Sequence, residues 1–168
     1  MRKLFTVLWL VGLVMSLKLQ ANEYHYDNYN VDAEHWKVPR TFYFNLSDSY
    51  ILDPTNEYKE FKLCLSKGFS FCIDSEGFSF AVKGSELKKG HEWILNGKKF
   101  VVDRLVSFDL FGLSQPVYLI NVKPNDYQKY QFYYSKKNGL LAFSITSLEE
   151  ELTELYLLRE GKGLGSTG

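Results

Sequence analysis

The sequence has few cysteines, few prolines and one long apolar run, and its basic residues form no clusters. A membrane-spanning helix needs roughly 20 apolar residues in succession, so nothing after the N-terminal region predicts a membrane span. Lys and Arg together number 20, matched by 20 Asp and Glu. The chain therefore lacks the basic balance that indicates nucleic-acid binding. Only four prolines occur, whereas 17% of the residues are aromatic, and this is not the composition of a disordered chain.

No catalytic motif in the sequence is complete. Gly-x-Ser-x-Gly and His-Glu-x-x-His are both absent, which removes two familiar signatures of serine hydrolases and zinc peptidases. Gly163, Gly165 and Gly168 match the dinucleotide-binding pattern, but that pattern must lie between a strand and a helix. Ser85 and Lys88 match the Ser-x-x-Lys motif of penicillin-recognising enzymes, whose other motifs are missing here. We interpret both matches as accidental.

The three histidines, His25, His35 and His91, are the remaining candidates for catalysis or metal binding. A Ser-His-Asp triad is defined by geometry and not by sequence order. A hydrolase with an unrecognised histidine site therefore stays an alternative hypothesis. No group of residues predicts a cofactor or a metal centre, and an enzymatic function is the less favoured interpretation.

The first 21 residues have the three parts of a secretory signal peptide. Arg2 and Lys3 precede an apolar stretch over residues 4–17, and a more polar exit ends at the small residue Ala21. We therefore expect cleavage between Ala21 and Asn22, and a periplasmic or secreted protein without a membrane span. Cleavage removes three basic residues and leaves 17 basic and 20 acidic ones, a net charge of −3. That charge gives no reason to expect attraction to anionic membranes.

The two cysteines, Cys64 and Cys72, are separated by seven residues with Gly68 at the midpoint. If Gly68 centres a tight turn, the cysteines fall opposite each other on paired strands. An even number of cysteines in an exported chain favours a disulfide. Two buried free thiols are the alternative.

The rest of the chain alternates short aromatic or β-branched runs with turn signals, a pattern typical of antiparallel strands. The clearest case is Asn96-Gly97 between residues 92–95 and 98–102, since Asn-Gly favours the type I′ turn of a two-residue hairpin. About eight to ten such runs predict a mainly β fold. We expect an antiparallel meander forming a curved sheet, partial barrel or sandwich, with little helix after the signal peptide.

This interpretation divides the mature chain into three parts. Residues 22–40 form an irregular N-terminal arm, residues 41–160 form the antiparallel β domain, and residues 161–168 form a flexible C-terminal tail. Residues 147–158 admit two interpretations. Their first residues fit a helix capping box, whereas the alternation of side chains after them fits a last strand. The strand is preferred.

Several aromatic residues alternate along the expected strands in a way that suits the interior of a curved sheet. Phe78, Phe80, Trp93 and Tyr134 are the candidate contacts for an apolar ligand, and Phe132 belongs to the same alternation as Tyr134. Filling of the core is the simpler interpretation of all of them.

The sequence therefore favours a non-catalytic binding module that carries an apolar small ligand. An envelope structural or protein-interaction module is the second hypothesis, in which exposed strand edges or tyrosines contact another envelope protein. The hydrolase is the third. Neither the ligand nor the partner is named by any residue pattern.

Export has a consequence that mass spectrometry measures directly. We expect the protein recovered from the envelope or medium of a bacterial host to begin at Asn22. Its mass should also be smaller by two hydrogens, because Cys64 and Cys72 form a disulfide in an oxidising compartment. An uncleaved chain recovered with the membrane fraction would contradict the signal peptide, and two free thiols would contradict the disulfide.

Overall fold

The computed structural model describes residues 22–29, 40–64, 68–84, 87–123 and 125–167. The expected cleavage site at Ala21 and the apolar segment before it lie outside these residues. The described residues contain no helix that has the length and apolarity to span a membrane. They form twelve strands: β1 Glu23–Asn28, β2 Thr41–Asn45, β3 Tyr50–Leu52, β4 Tyr58–Leu63, β5 Phe69–Ser75, β6 Ser79–Lys83, β7 Glu92–Leu95, β8 Lys98–Leu110, β9 Leu113–Val122, β10 Gln128–Ser135, β11 Gly139–Ser147 and β12 Thr153–Leu158.

The strands form one antiparallel sheet that curves into a nearly closed barrel. Each strand pairs with its neighbours in sequence, except that β6 does not pair with β7. Instead β1 pairs with β12, so that Tyr26 lies opposite Leu158. The gap in the barrel therefore lies in the middle of the chain, and the first and last strands are neighbours. This architecture confirms the expected antiparallel meander and partial barrel.

The sequence predicted an irregular arm over residues 22–40. This prediction is wrong for Glu23–Asn28, which forms strand β1 between β2 and β12. Asp27 accepts two hydrogen bonds of 2.8 Å from the Arg159 guanidinium and one of 2.7 Å from Thr41 Oγ1. The bond from Arg159 lowers the pKa of Asp27. Asn and Asp usually indicate turns, and this composition hid the strand. Residues 30–39 lie outside the described residues.

The interior of the barrel is filled by aromatic rings. Phe78 contacts several of them, with ring centroids 5.0 Å from Phe44, 5.2 Å from Phe143 and 5.8 Å from Phe132. Most of these pairs are tilted or edge-to-face, the geometry that aromatic quadrupoles favour. The short strands of a curved sheet can bring so many rings together because their inward side chains converge on one axis.

The C-terminal segment packs against one end of the barrel, although it was expected to be flexible. Leu164 is fully buried, and its backbone N–H donates to the hydroxyl of Tyr26 at 3.2 Å. That hydroxyl donates in turn to the carbonyl of Leu140 at 2.9 Å. A Cβ on Gly163 would overlap the same carbonyl, so glycine is needed for this approach. The glycine-rich sequence of this segment is typical of a flexible linker, but in the structure it allows the segment to pack closely against the barrel.

The remaining local expectations can be compared directly with the structure. The turn at Asn96-Gly97 has positive φ at both residues, as a type I′ hairpin requires. Residues 153–158 form strand β12, which confirms that a strand and not a helix occupies this segment. Cys64 and Cys72 lie at disulfide distance, with Cα atoms 5.0 Å apart. Strand β3 and the full length of β8 were not expected from the sequence.

Docking of the tail predicts a large loss of stability when its anchor is shortened. Leu164→Ala should lower the free energy of unfolding by about 2–4 kcal/mol, because the cavity at a fully buried leucine is not refilled. Urea unfolding followed by tryptophan fluorescence measures the change. The control is Leu152→Ala at a leucine that is 54% exposed, where about 0.5 kcal/mol or less is expected. Equal effects of the two substitutions would show that the tail is not part of the folded unit.

Candidate binding groove

The aromatic residues proposed as ligand contacts belong to the core. Phe78, Phe80, Trp93, Phe132 and Tyr134 are each 3% exposed or less. Burial raises the pKa of Tyr134, so its hydroxyl stays protonated and donates to the carbonyl of Gly165 at 3.1 Å. Phe78, Phe80 and Tyr134 pack around Phe132 or on one another, and Trp93 stacks on Phe100. Tyr134 also lines one of the surface grooves described below, and Phe78 lines a cavity at the end of the barrel.

The histidines do not form a catalytic arrangement in the described part of the chain. The His25 ring lies 4.8 Å from that of Tyr43, and no hydrogen bond between described residues uses a histidine side chain. Nδ1 of His91 is buried beside the indole of Trp93, and neither it nor the indole nitrogen has a hydrogen-bond partner there. His35 and Ser85 lie outside the described residues. No group of three or more metal-ligating side chains occurs in the described ranges.

A cluster of polar side chains lies at the gap between β6 and the β7–β8 hairpin. Lys98 Nζ donates to Ser79 Oγ at 2.6 Å, and Ser79 donates to the carboxylate of Asp74. Asn96 donates to that carboxylate from the turn of the hairpin. A serine beside a lysine resembles a nucleophile and its base. Ser79, however, is buried and lines none of the described grooves, so we assign these contacts to closing the gap.

The end of the barrel near the β3–β4 loop has a small polar cavity of about 230 Å³ floored by Phe42 and Phe78. Four of its five charged side chains pair with each other: Arg40 with Glu154, and Lys59 with Asp53 at 3.2 Å. Because these charges already have partners, a ligand would have to break existing ion pairs to bind here. This cavity is therefore a weak candidate for a binding site.

The β8–β9 hairpin extends beyond the barrel. Its partner strands stop early, since β7 pairs with β8 only as far as Val101 and β10 pairs with β9 only from Tyr118. Residues 103–117, which we name the hairpin extension, have strand partners only within the β8–β9 hairpin in the described structure. A two-stranded ribbon is marginally stable alone. The extension is supported by Phe108, whose ring centroid is 5.0 Å from that of Tyr133.

A groove of about 470 Å³ lies between the hairpin extension and the β10–β11 turn. One rim is held in place by a hydrogen bond of 2.6 Å from Asn138 Nδ2 to Gln115 Oε1. Apolar side chains and two lysines line it: Leu105, Leu113, Pro116, Tyr118, Lys136 and Lys137. Lys136 Nζ lies 5.5 Å from the centroid of the Tyr118 ring, a distance at which a cation and an aromatic face attract each other. The groove is therefore apolar along its wall and cationic at its rim.

A second groove of about 410 Å³ lies on the other side of Lys136. Phe69, Val82, Leu87 and Tyr134 contribute its apolar surface. Lys136 lines both grooves, so one lysine can reach the head of a ligand that lies in either. The two grooves occupy the end of the barrel that the C-terminal segment covers.

Sequence reasoning did not identify the groove residues. Leu105 and Leu113 lie in different strands, and Lys136 lies in a turn, so no local motif connects them. One signal was available. Gly112, between two runs of alternating large side chains, suggests a two-residue hairpin turn. A turn at that position indicates that β8 continues up to it.

The tip of the hairpin extension has an unusual residue in a strained conformation. Phe111 has φ of 56° and Gly112 has φ of 72°. Asn96 and Gly97 have similar values, 45° and 80°, at the other two-residue turn of this region. Asn tolerates positive φ, whereas a bulky residue there is rare. The chain therefore has the relaxed form of this turn in one hairpin and a strained form in the next.

The fold and the groove define a class of protein: a small antiparallel β-barrel-like protein with an apolar, lysine-rimmed groove on its outside. No protein family, no curated protein and no solved structure matches the chain. Its ligand and activity must therefore be argued from its own residues.

The strain at the tip predicts a stabilising substitution. Phe111→Asn should raise the free energy of unfolding by about 0.5–1 kcal/mol, because asparagine adopts positive φ at lower cost. Urea unfolding measures the change. Tyr127→Asn, which replaces an aromatic residue that is 68% exposed, is the matched control and should give no gain. A loss of stability in Phe111→Asn would show that packing of the ring outweighs the backbone strain.

Proposed function

We propose that the protein is an exported, non-catalytic binding module whose ligand is amphipathic, with an apolar chain and an anionic head. The groove between the hairpin extension and the β10–β11 turn is its binding site. The observation that carries the proposal is the combination of an apolar wall with two lysines at its rim. A periplasmic or secreted location is part of this proposal and rests on the N-terminal sequence.

The apolar wall supports an acyl or alkyl chain as the bound part. Leu105 and Leu113 are 56% and 68% exposed, and large exposed apolar side chains that line one groove gain free energy when a ligand covers them. A volume of about 470 Å³ is in the range of small-molecule sites. The filled aromatic core favours this outer groove over an interior cavity.

The lysines support an anionic head. Neither Lys136 nor Lys137 forms an ion pair with a described residue. An ammonium group at the rim of an apolar surface attracts phosphate or carboxylate more strongly than the same group in open water. The head of the ligand would lie toward the β10–β11 turn and its chain toward the hairpin extension.

Protein interaction is the second candidate function. The edge of β7 that faces the gap has no strand partner among the described residues, and Ile94 on this strand is 68% exposed. An open edge of this kind can pair with a strand of another protein. The short length of β7 and the polar cluster at the gap make this the weaker candidate.

The groove proposal predicts how a single leucine affects ligand affinity. Dodecyl phosphate, below its micelle concentration, should bind the wild-type protein, and Leu105→Ser should weaken that binding by about five- to tenfold. Isothermal titration calorimetry measures both. The matched control is Leu152→Ser, because Leu152 is 54% exposed and lies outside the groove.

The contribution of the head is tested separately. Replacement of Lys136 and Lys137 by glutamine should weaken dodecyl phosphate binding, and the uncharged dodecyl maltoside should bind both proteins equally. If dodecyl phosphate does not bind, or if Leu105→Ser and Leu152→Ser behave alike, the groove is not the site and the free edge of β7 becomes the preferred candidate.

A further inference from the structure

The tip of the hairpin extension keeps a strained aromatic residue where a relaxed turn would serve the fold equally well. Phe111 is 52% exposed at positive φ, so much of its ring faces solvent although its backbone is unfavourable. The Asn96-Gly97 turn has the same geometry without the strain. Strain that contributes nothing to the core indicates a role in function.

The exposed tip is apolar beyond this one residue. Leu113, two residues after Phe111, is 68% exposed. Leu110, in contrast, is buried and anchors the turn. The tip therefore presents two large apolar side chains, Phe111 and Leu113, at the end of a supported ribbon. Phe111 does not line the groove, so ligand binding in the groove does not explain it.

Lysines flank the hairpin extension on both sides. On one side, Lys136 and Lys137 lie in the β10–β11 turn. On the other, the turn that includes Lys88 and Lys89 contacts β8 through a hydrogen bond of 2.8 Å from Gly90 N to the carbonyl of Val102. Lys83, at the end of β6, completes the set.

These five lysines are exposed, and none forms an ion pair with a described residue. Asp109 is the one exposed carboxylate of the extension that has no ion-pair partner in the described structure; Asp103 pairs with Arg104 at 3.7 Å. The β6–β7 connection also contains Glu86, which lies outside the described residues.

The acidic residues that offset these lysines lie mainly at the opposite end of the barrel. Exposed carboxylates there occur in the β3–β4, β5–β6 and β11–β12 connections: Glu57, Glu76, Glu149, Glu150 and Glu151. The mature chain is acidic overall, and Glu23, Asp48 and Glu160 are exposed carboxylates at the same end as the lysines. They lie in or beside β1, β2 and β12, however, and none of these strands pairs with β8 or β9. The net charge of −3 therefore does not describe the surface around the hairpin extension, where cations predominate.

We propose that this end of the barrel docks onto an anionic lipid surface. Phe111 and Leu113 enter the region of the headgroups, and the surrounding lysines lie against lipid phosphates. Aromatic residues are favoured at the membrane interface. Each lysine near an anionic leaflet adds attraction that falls off within about a Debye length. Neither set of residues is sufficient alone, because stable attachment to a membrane generally takes two signals.

A lipid surface fits these features better than a peptide does. A peptide partner would need a shaped pocket for the aromatic ring, whereas Phe111 projects from the molecule at the apex of a turn. A bilayer accepts a projecting apolar side chain without a complementary pocket. This inference goes beyond the proposed function, since Phe111, Lys88 and Lys89 do not line the groove. Leu113, Lys136 and Lys137 belong to both proposals, and both would bring the protein to amphipathic anions.

The experiment is vesicle sedimentation with protein purified after export. One set of vesicles contains phosphatidylcholine with about one third phosphatidylglycerol, and the other contains phosphatidylcholine alone. Wild-type protein should bind the anionic vesicles and lose that binding at high salt. Phe111→Asn should lower the partition coefficient about tenfold, although its fold is at least as stable. Tyr127→Asn, with an exposed aromatic residue at the opposite end, should bind as the wild type does.

The lysine contribution is measured with glutamine at both Lys136 and Lys137, which should lower partitioning by tenfold or more. Every variant carries the same N-terminus, so the apolar residues 4–17 cannot explain a difference between them. The proposal is overturned if Phe111→Asn binds like Tyr127→Asn, or if vesicle charge makes no difference. Leu105→Ser separates the two proposals, because it should impair dodecyl phosphate binding and leave vesicle binding within about twofold.

Discussion

Backbone hydrogen bonds between β1 and β12 join the two halves of the sheet, and the core, the tail and the groove depend on that pairing. It places Tyr26 opposite Leu158, and the Tyr26 hydroxyl then connects the carbonyl of Leu140 to the backbone of Leu164. The ion pair between Asp27 and Arg159 connects the same two strands. Without this pairing, each half would be a meander with an open edge and an uncovered aromatic face.

The filled interior determines where function can reside. The rings around Phe78 pack on one another, so the proposed binding site lies outside the barrel. The hairpin extension is the largest of these, because its strands continue after the pairing with β7 and β10 has ended. The ring of Phe108 packs against that of Tyr133 and stabilises a ribbon that would be marginal alone. The ribbon therefore forms one wall of a groove and presents an exposed tip at its end.

Local sequence rules hold over most of the molecule and fail where the functional proposals lie. The Asn96-Gly97 turn and the last strand follow their local patterns, because neighbouring residues decide them. Phe111-Gly112 violates the same turn rule, and His91 and Trp93 keep buried nitrogens without partners in the described structure. Departures from local sequence rules are expected where residues are retained for function and not for stability. The strand β1 was missed for a different reason: Asp27 is held by Thr41, 14 residues away, and by Arg159, 132 residues away, and no local pattern indicates these partners.

The sequence by itself determined the class of the fold, the antiparallel connections between successive strands, and the proximity of Cys64 and Cys72. These follow from periodicity and turn residues, which are local properties. Export stays a prediction from the N-terminal sequence. Only the tertiary structure decided that β1 and β12 close the sheet, that the glycine-rich tail is packed and that the candidate aromatics are core. It also decided that Leu105, Leu113 and Lys136 share a groove. Those facts depend on contacts between residues distant in the chain, and neither composition nor periodicity carries that information.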